Sequence, residues 1–184
     1  MRLNEKGGIL LPRRVIARRV KELAREIDAH YRGRELVLVG VLNGSLVFLA
    51  DLMRELKLPL QVDFITASSY GRRTRSRGKI LFRPHLKLSL CGAHVLLVDD
   101  IFDTGATLEK AMSFLKTLKP ASLNACVFLR KRVRRTVRCR PRFVGFDIPD
   151  RFVYGYGLDL REGFRHLPHL AWVKERPENK KGRV

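Results

Sequence analysis

Apolar residues in this chain recur with two different periods, and the two periods alternate. Over residues 12–30, apolar positions lie three and four apart with charges between them, a pattern typical of an amphipathic helix. Residues 45–56 and 107–118 show the same spacing. Runs of mostly apolar residues predict strands at 35–44, 60–71, 93–100, 122–131 and 142–149. This alternation predicts an α/β fold with a largely parallel central sheet flanked by helices.

Polar breaks follow three of the predicted strands. They are LNGS after residues 35–42, DDIFDTGAT after residues 95–98, and RK after residues 122–129. Ligands in open α/β sheets bind outside the carboxyl ends of the strands. We therefore expect the functional residues to lie in these breaks.

The stretch VLLVDDIFDTGAT (residues 95–107) has three acids within five positions. A strand, a glycine and a helix N-terminus together form a phosphate cradle, because backbone N–H groups and the helix dipole face the anion. The Walker pattern GxxxxGK[ST] is absent. The adjacent carboxylates of Asp99 and Asp100 suit sugar hydroxyls, or a divalent cation that accompanies phosphates. A helix N-cap needs only one acid, so the stretch predicts a sugar phosphate as ligand.

The composition fits one globular domain. The chain has 184 residues, 45% of them hydrophobic, and no apolar run long enough to span a bilayer. The first residues lack a signal-peptide pattern. We expect a single cytoplasmic domain over residues 1–184, with no membrane contact and with residues 174–184 as a flexible basic tail. The cysteines are scattered and indicate no disulfide framework.

The formal net charge is +20, which predicts affinity for polyanions. Nucleic acid, an anionic membrane and phosphorylated small molecules all fit this charge. Basic residues cluster at 13–19, 72–79 and 130–142. Clusters of this kind also occur as ordinary solvated surfaces, so the charge alone leaves both interpretations open.

The acidic stretch resembles the phosphoribosyl diphosphate (PRPP) motif of type I phosphoribosyltransferases, in which a hydrophobic strand precedes two acids, two spacers and Asp-Thr/Ser-Gly-x-Thr. The segments GVLNGSLVFLADL, VDFITASSYG and FVGFDIPDRFVYGYGLDLREGFRHL resemble the hypoxanthine-guanine phosphoribosyltransferases, and the similarity runs from about Ile9 to Val173. This resemblance implies the type I fold with a small hood built from the chain ends. It also implies a purine salvage enzyme that transfers 5-phosphoribosyl from PRPP to hypoxanthine and/or guanine, giving IMP or GMP and pyrophosphate.

The resemblance assigns roles at the PRPP end. Asp99 and Asp100 match acids that hold the ribose hydroxyls and, with Asp159, lie near Mg²⁺. Asp103 matches the general base that takes the purine's proton. The 5′-phosphate loop corresponds to Asp103, Thr104, Gly105, Ala106 and Thr107, and the pyrophosphate-binding residues to Leu42, Asn43, Gly44 and Arg165. Relatives often have a non-proline cis peptide in the 42–44 loop. They usually have Lys or Arg where this chain has Asn43, so here the side-chain charge is missing.

The resemblance also assigns a purine end. Lys131 matches the lysine that donates to the 6-oxo group, and so disfavours the amino group of adenine. Phe152 matches an aromatic residue that stacks on the base, Val153 the backbone that recognises its edge, and Asp159 a metal-linked acid. Ser69 and Tyr70 match the start of a mobile loop that closes over the site and excludes water. We hypothesise that Arg72, Arg73 and Arg75 attract the anionic PRPP.

The resemblance leaves open the oligomeric state and the possibility of an RNA partner. Dimers and tetramers both occur in such families, so a homo-oligomer is expected. The type I fold also serves pyrimidine-operon attenuation proteins, and the chain is basic enough to bind nucleic acid nonspecifically. An RNA-binding regulator is therefore the second hypothesis, although the chain has no aromatic-rich RNA-recognition motif. RNA binding with sequence preference at physiological salt would distinguish the two.

Overall fold

The computed structural model describes residues 7–70, 79–84 and 86–174. Over these residues the strands are β1 (Ile9–Leu11), β2 (Leu36–Leu42), β3 (Leu60–Tyr70), β4 (Lys79–Pro84), β5 (His94–Phe102), β6 (Ser122–Lys131), β7 (Phe143–Ile148), β8 (Val153–Tyr154) and β9 (Leu170–Trp172). The helices are α1 (Arg13–His30), α2 (Leu46–Glu55) and α3 (Ala106–Thr117). Strand and helix therefore alternate from α1 to β3 and from β5 to β6, as the apolar periods predicted.

The central sheet has the strand order β4-β3-β2-β5-β6-β7. Strand β4 runs antiparallel to β3, and the other five strands are parallel to one another. The prediction of a largely parallel sheet flanked by helices is confirmed. No described helix is long and apolar enough to cross a membrane.

Both faces of the sheet are covered, which explains why the central strands are continuously apolar. Side chains alternate between the two faces of a strand. In β2, Leu36 and Leu38 pack in the same cluster as buried residues of α1 and α2. Val37 and Val39 pack on the opposite face, in the cluster that contains the buried residues of α3. A strictly alternating pattern would have left one of these faces polar.

A small three-stranded sheet, in the order β1-β9-β8, stands apart from the central sheet. Strand β9 pairs antiparallel with both of its neighbours. It joins the first described strand to the last ones, as the expected hood built from the chain ends requires. These strands have only two or three residues each, which is too short for a hydrophobic period, so the sequence pattern did not predict them as strands.

Strand β3 pairs antiparallel with β4, a strand that the sequence pattern did not predict. Ser69 and Tyr70 pair with Ile80 and Lys79 as the last residues of β3. The expected mobile loop and the three arginines proposed to attract PRPP fall on residues 71–78, which lie outside the described residues. The expected basic tail also lies outside them, apart from Lys174.

The chain order places a switch point between β2 and β5. From β2 the chain continues to β3 on one side of the sheet, and from β5 it continues to β6 on the other side. Strands β2 and β5 are parallel neighbours, with Gly40 opposite Val98. Ligands in doubly wound sheets bind in the crevice at such a reversal, outside the carboxyl ends of the strands. The LNGS break begins at the last residue of β2, and the DDIFDTGAT break begins within β5, whose last four residues are Asp99–Phe102.

Candidate active site

Two adjoining cavities open at the carboxyl ends of the strands. The larger, about 540 Å³, is lined by all of the predicted PRPP residues except Ala106, namely Leu42, Asn43, Gly44, Asp99, Asp100, Asp103, Thr104, Gly105, Thr107 and Arg165. The smaller, about 240 Å³, is lined by Lys131, Phe152 and Val153. Asp100, Asp103 and Asp159 line both. The acids therefore lie where the two predicted halves of the site meet.

The loop before α3 has the geometry of an anion site. Gly105 has φ 86°, in the left-handed region, and a Cβ on it would lie 2.5 Å from Cγ2 of Val137. Both the conformation and the space therefore require glycine. Thr104 Oγ1 accepts a hydrogen bond from the N–H of Ala106 at 3.4 Å. N–H groups in the first turn of a helix have no intrahelical acceptor, so this turn is able to bind a phosphate.

Asp99 and Asp100 form an acidic pair at the end of β5. Asp99 is only 4% exposed, and its Oδ1 accepts a hydrogen bond from the N–H of Asp100 at 2.9 Å. Burial raises the pKa of Asp99 well above its ordinary value, and the neighbouring charge of Asp100 raises it further. Burial also raises the pKa of Asp100, against the opposing effect of Arg165. Ionising both carboxyls is therefore costly, which is expected of groups positioned for a ligand.

Replacing Asp99 with asparagine is expected to raise the thermal unfolding midpoint of the ligand-free protein at neutral pH. Asparagine keeps the acceptor for the N–H of Asp100 and removes the buried charge. Because the pKa of Asp99 is raised in the folded state, the wild type loses stability as the pH rises from about 3.9, the unfolded value, through the raised value. The gain should therefore vanish in acid. Calorimetry across this pH range, without substrate, measures it.

Asp147 provides a control for which substitution by asparagine should change the unfolding midpoint in the opposite direction. Its hydrogen bonds from Arg130, at 2.6 and 2.8 Å, lower its pKa. Its stabilising effect is present at neutral pH and is lost as the pH falls through the lowered value. Asp147→Asn should therefore lower the midpoint at neutral pH. If Asp99→Asn also lowered the midpoint there, the assigned cost of the acidic pair would be wrong.

Lys131 lines the smaller cavity and forms an ion pair with Asp103, which lines both cavities. It ends β6 and is 6% exposed. Its Nζ donates to Oδ2 of Asp103 at 2.9 Å and to Oδ1 of Asp150 at 3.2 Å. A buried ammonium requires such partners. The two carboxylates fix the ammonium at the edge of the smaller cavity, beside the acid that lines both.

The remaining purine-end residues come from the hood. Val153 is buried in β8, while Phe152 is half-buried just before this strand. Asp159 accepts hydrogen bonds from Nη2 of Arg165 at 2.8 Å and from the N–H of Glu162 at 3.0 Å. Arg165 also donates to the carbonyl of Gly157 at 2.7 Å. The guanidinium expected to bind pyrophosphate is thus held beside the acid expected to lie near the metal.

The 42–44 loop lies against the acidic pair. A cis peptide bond joins Leu42 to Asn43, as the resemblance implied. A Cβ on Gly44 would lie 1.6 Å from Oδ2 of Asp100. Only glycine allows this approach, which places the backbone of the loop directly beside the carboxylate.

Some expected residues do not line the cavities, and some lining residues were not expected. Ala106 begins α3 without lining either cavity, and nothing is described of the side chains of Ser69 and Tyr70. Sequence reasoning missed Glu162, which lines the larger cavity, and Asp150, the second partner of Lys131. Only tertiary contacts identify these two, because neither belongs to the acidic stretch or to a strand end.

The acids of the larger cavity are oxygen donors of the kind that magnesium prefers. Within residues 7–70, 79–84 and 86–174, no group of three or more His, Cys, Asp or Glu side chains is placed to hold a metal. Mg²⁺ usually retains waters and binds through one or two carboxylates plus substrate phosphates. Asp99, Asp100 and Asp159 present carboxylates to the larger cavity. These residues therefore fit a metal that arrives with a polyphosphate.

Comparisons with known proteins agree on one family. The family model of the phosphoribosyl transferase domain matches residues 8–161. The chain is 45% identical over 172 residues to a hypoxanthine-guanine phosphoribosyltransferase of Aquifex aeolicus, covering 93% of this chain and 97% of that protein. It is 44% identical over 167 residues to the hypoxanthine phosphoribosyltransferase of Salmonella typhimurium, covering 90% and 94%.

Solved structures give the same result. The hypoxanthine-guanine phosphoribosyltransferase of Bacillus anthracis, with HEPES in its active site, superposes with a TM-score of 0.85 at 40% identity, over 90% of this chain and 98% of that one. A Trypanosoma cruzi hypoxanthine phosphoribosyl transferase, whose C-terminal region has a role in its oligomeric state and activity, has a TM-score of 0.85 at 38% identity, over 97% and 96%.

Proposed function

The chain belongs to the phosphoribosyl transferase family, as a hypoxanthine-guanine phosphoribosyltransferase, and we propose that its reaction takes place where the two cavities meet. It is a purine salvage enzyme, which transfers 5-phosphoribosyl from PRPP to hypoxanthine or guanine. The single observation that supports this location is the contact between Lys131 and Asp103 at 2.9 Å, at the boundary of a phosphate-binding loop and a pocket with an aromatic wall.

PRPP binds in the larger cavity. The N-terminal turn of α3 holds the 5′-phosphate through backbone N–H groups, with Thr104 and Thr107 as hydroxyl donors. Asp99 and Asp100 accept hydrogen bonds from the ribose hydroxyls. One or two carboxylates among Asp99, Asp100 and Asp159, together with the substrate's phosphates, would hold a Mg²⁺ ion bound with PRPP. Such an ion would supply positive charge that stabilises pyrophosphate as a leaving group.

The purine binds in the smaller cavity. Phe152 provides an aromatic face for stacking, and the backbone at Val153 recognises the base edge. Lys131 Nζ donates to the 6-oxo group, where adenine would present a second donor instead. This polarity, rather than the size of the pocket, determines the preference for 6-oxopurines.

The chemical step exchanges one bond at C1′ of the ribose for another. A purine ring nitrogen forms a bond to C1′, and the bond from C1′ to the pyrophosphate oxygen breaks with its electrons going to pyrophosphate. The proton released from purine N7 passes to the carboxylate of Asp103, the general base. Asp103 lines both cavities, so it lies within reach of either substrate. The products are IMP or GMP and pyrophosphate.

Asn43 provides a test of the pyrophosphate end. Its backbone remains in the wall of the larger cavity, but its side chain is neutral. Asn43→Lys is expected to lower the KM for PRPP about 3- to 10-fold, in line with about 0.5–1.5 kcal/mol for one added partly exposed charge contact. Steady-state kinetics at fixed hypoxanthine measure it, with Asn43→Met as the uncharged control. Equal PRPP KM values in both variants would show that the side chain at this position does not contact pyrophosphate.

The function itself is tested by a spectrophotometric assay. The purified chain is mixed with PRPP, Mg²⁺ and each purine base in turn. Nucleotide is expected from hypoxanthine or guanine and not from adenine. No nucleotide from any base, despite PRPP binding, would contradict the proposal.

The remaining partners follow from the family. We expect a homo-oligomer, a dimer or a tetramer, and a cytoplasmic location. The comparisons give no support to an RNA-binding regulator. Nonspecific binding of nucleic acid through the +20 charge is still expected, and it should disappear as the salt concentration rises.

A further inference from the structure

Arg135 lies behind the phosphate loop and connects it to β6. Its Nε donates to the carbonyl of Asp103 at 2.5 Å, and its Nη2 donates to the carbonyl of Phe102 at 2.8 Å and to that of Lys131. The guanidinium also lies 4.3 Å from the centre of the Phe102 ring. One side chain thus binds the main chain at the ends of two neighbouring strands.

These contacts set the orientation of two peptide groups in the loop. The carbonyl of Phe102 and the N–H of Asp103 share one rigid plane and point in opposite directions, as do the carbonyl of Asp103 and the N–H of Thr104. Arg135 holds both carbonyls on its own side. The two N–H groups are therefore turned to the opposite side, and Asp103 and Thr104 line the larger cavity.

The contact with Lys131 adds a second constraint. Its carbonyl and the carbonyl of Asp103 accept from the same guanidinium, while the side chains of these two residues meet at 2.9 Å. The proposed base and the proposed 6-oxo donor are thus fixed relative to each other through both main chain and side chain. Within the described residues, Arg135 lines neither cavity, so it does not touch the substrates.

We propose that Arg135 is a positioning residue for this reaction: it fixes the spacing between Asp103 and Lys131 and orients the N–H groups of the phosphate loop. The inference rests on the proposed function. It also depends on the shape of the side chain. A guanidinium has five donors in a fixed plane, whereas an ammonium on a flexible stem acts as a point charge and cannot reproduce this set of contacts.

The test compares Arg135→Lys and Arg135→Ala with the wild type, and uses Arg134→Ala as the matched control. Arg134 is the neighbouring, exposed arginine, so its removal takes away the same charge from the same segment. We expect kcat with hypoxanthine to fall about 10- to 100-fold in both Arg135 variants, because small misplacements of reacting groups cost rates of this size. The KM for PRPP should rise in parallel, and Arg134→Ala should retain wild-type values.

Rescue experiments separate positioning from general destabilisation. Added guanidinium should restore part of kcat in Arg135→Ala, while ammonium at the same ionic strength should not. A folded Arg135→Lys enzyme with wild-type kcat and KM would overturn this role while leaving the proposed function intact. An inactive wild type would overturn both. If Arg135→Ala does not fold, Arg135→Lys, which keeps the charge and most of the stem, decides alone.

Discussion

Asparagine in place of Asp103 is expected to lower kcat for IMP formation by about 10²- to 10⁴-fold, the range that a positioned general base contributes. The amide cannot accept the proton from purine N7, but it has nearly the same shape as the carboxylate. Lys131 keeps Asp150 as a partner at 3.2 Å, so its buried charge is not left unpaired. The variant should therefore fold and bind PRPP, and pre-steady-state kinetics should locate the loss in the chemical step.

Asp150→Asn is the matched control. Asp103 and Asp150 both accept a hydrogen bond from Nζ of Lys131, and their side chains are equally exposed, at 45%. Only Asp103, however, lines the cavities. Asp150→Asn should keep kcat within about 10-fold of the wild type, consistent with the weakening of a single hydrogen bond. Equal losses in the two variants would mean that the charge around Lys131 matters, and not proton transfer to Asp103.

Lys131→Met is expected to reduce kcat/KM for hypoxanthine about 10- to 150-fold, which corresponds to about 1.5–3 kcal/mol for a hydrogen bond from a charged donor. Methionine keeps much of the buried stem and removes the donor to the 6-oxo group. The lost hydrogen bond is made with the purine and not with PRPP, so the KM for PRPP should change little. Activity with adenine should not fall, because the donor that opposes its amino group has gone.

Arg130→Met controls for the loss of a positive charge on the same strand. Arg130 precedes Lys131 and pairs with Asp147 across neighbouring strands. Competition assays with hypoxanthine and adenine in one tube measure the discrimination directly. The ratio of the hypoxanthine rate to the adenine rate should fall strongly in Lys131→Met and remain at the wild-type value in Arg130→Met. An unchanged ratio in Lys131→Met would assign base discrimination to another group.

The central sheet could be predicted from the sequence because its strands are buried on both faces. Residues 95–98 are four consecutive apolar residues, and all four are fully buried. Such a run has one simple explanation, a strand covered on both sides. Strand β4 was not predicted as a strand, since it lies at the edge of the sheet after the arginine-rich segment. Strand ends were accurate within about two residues, the usual variation in such boundaries.

The acidic loop could be placed in advance because its residues are close together in the chain. Strand, acids, glycine and helix follow one another, so local spacing alone brings them to one edge. The contacts of Arg135 and Asp150 could not be predicted in this way. Arg135 belongs to a run of arginines in which exposed and half-buried positions alternate, and only the packing beside Phe102 distinguishes it from its neighbours.

The pairing of Arg165 with Asp159 also depends on the fold. Positive φ values at Arg161, Glu162 and Phe164 turn the chain back, so that Arg165 meets an acid six residues earlier in the sequence. The resemblance gave these two residues separate roles, in binding pyrophosphate and metal. Their contact implies that the pyrophosphate group of PRPP has to compete with, or extend, this ion pair.

A crystal structure with the product IMP would locate both halves of the site at once. We expect the phosphate at the N-terminal turn of α3, the ribose hydroxyls on Asp99 and Asp100, and the purine oxygen within hydrogen-bond distance of Nζ of Lys131. A nucleotide bound anywhere else, for instance in the separate cavity beside Arg13, Arg54 and His166, would contradict this expectation.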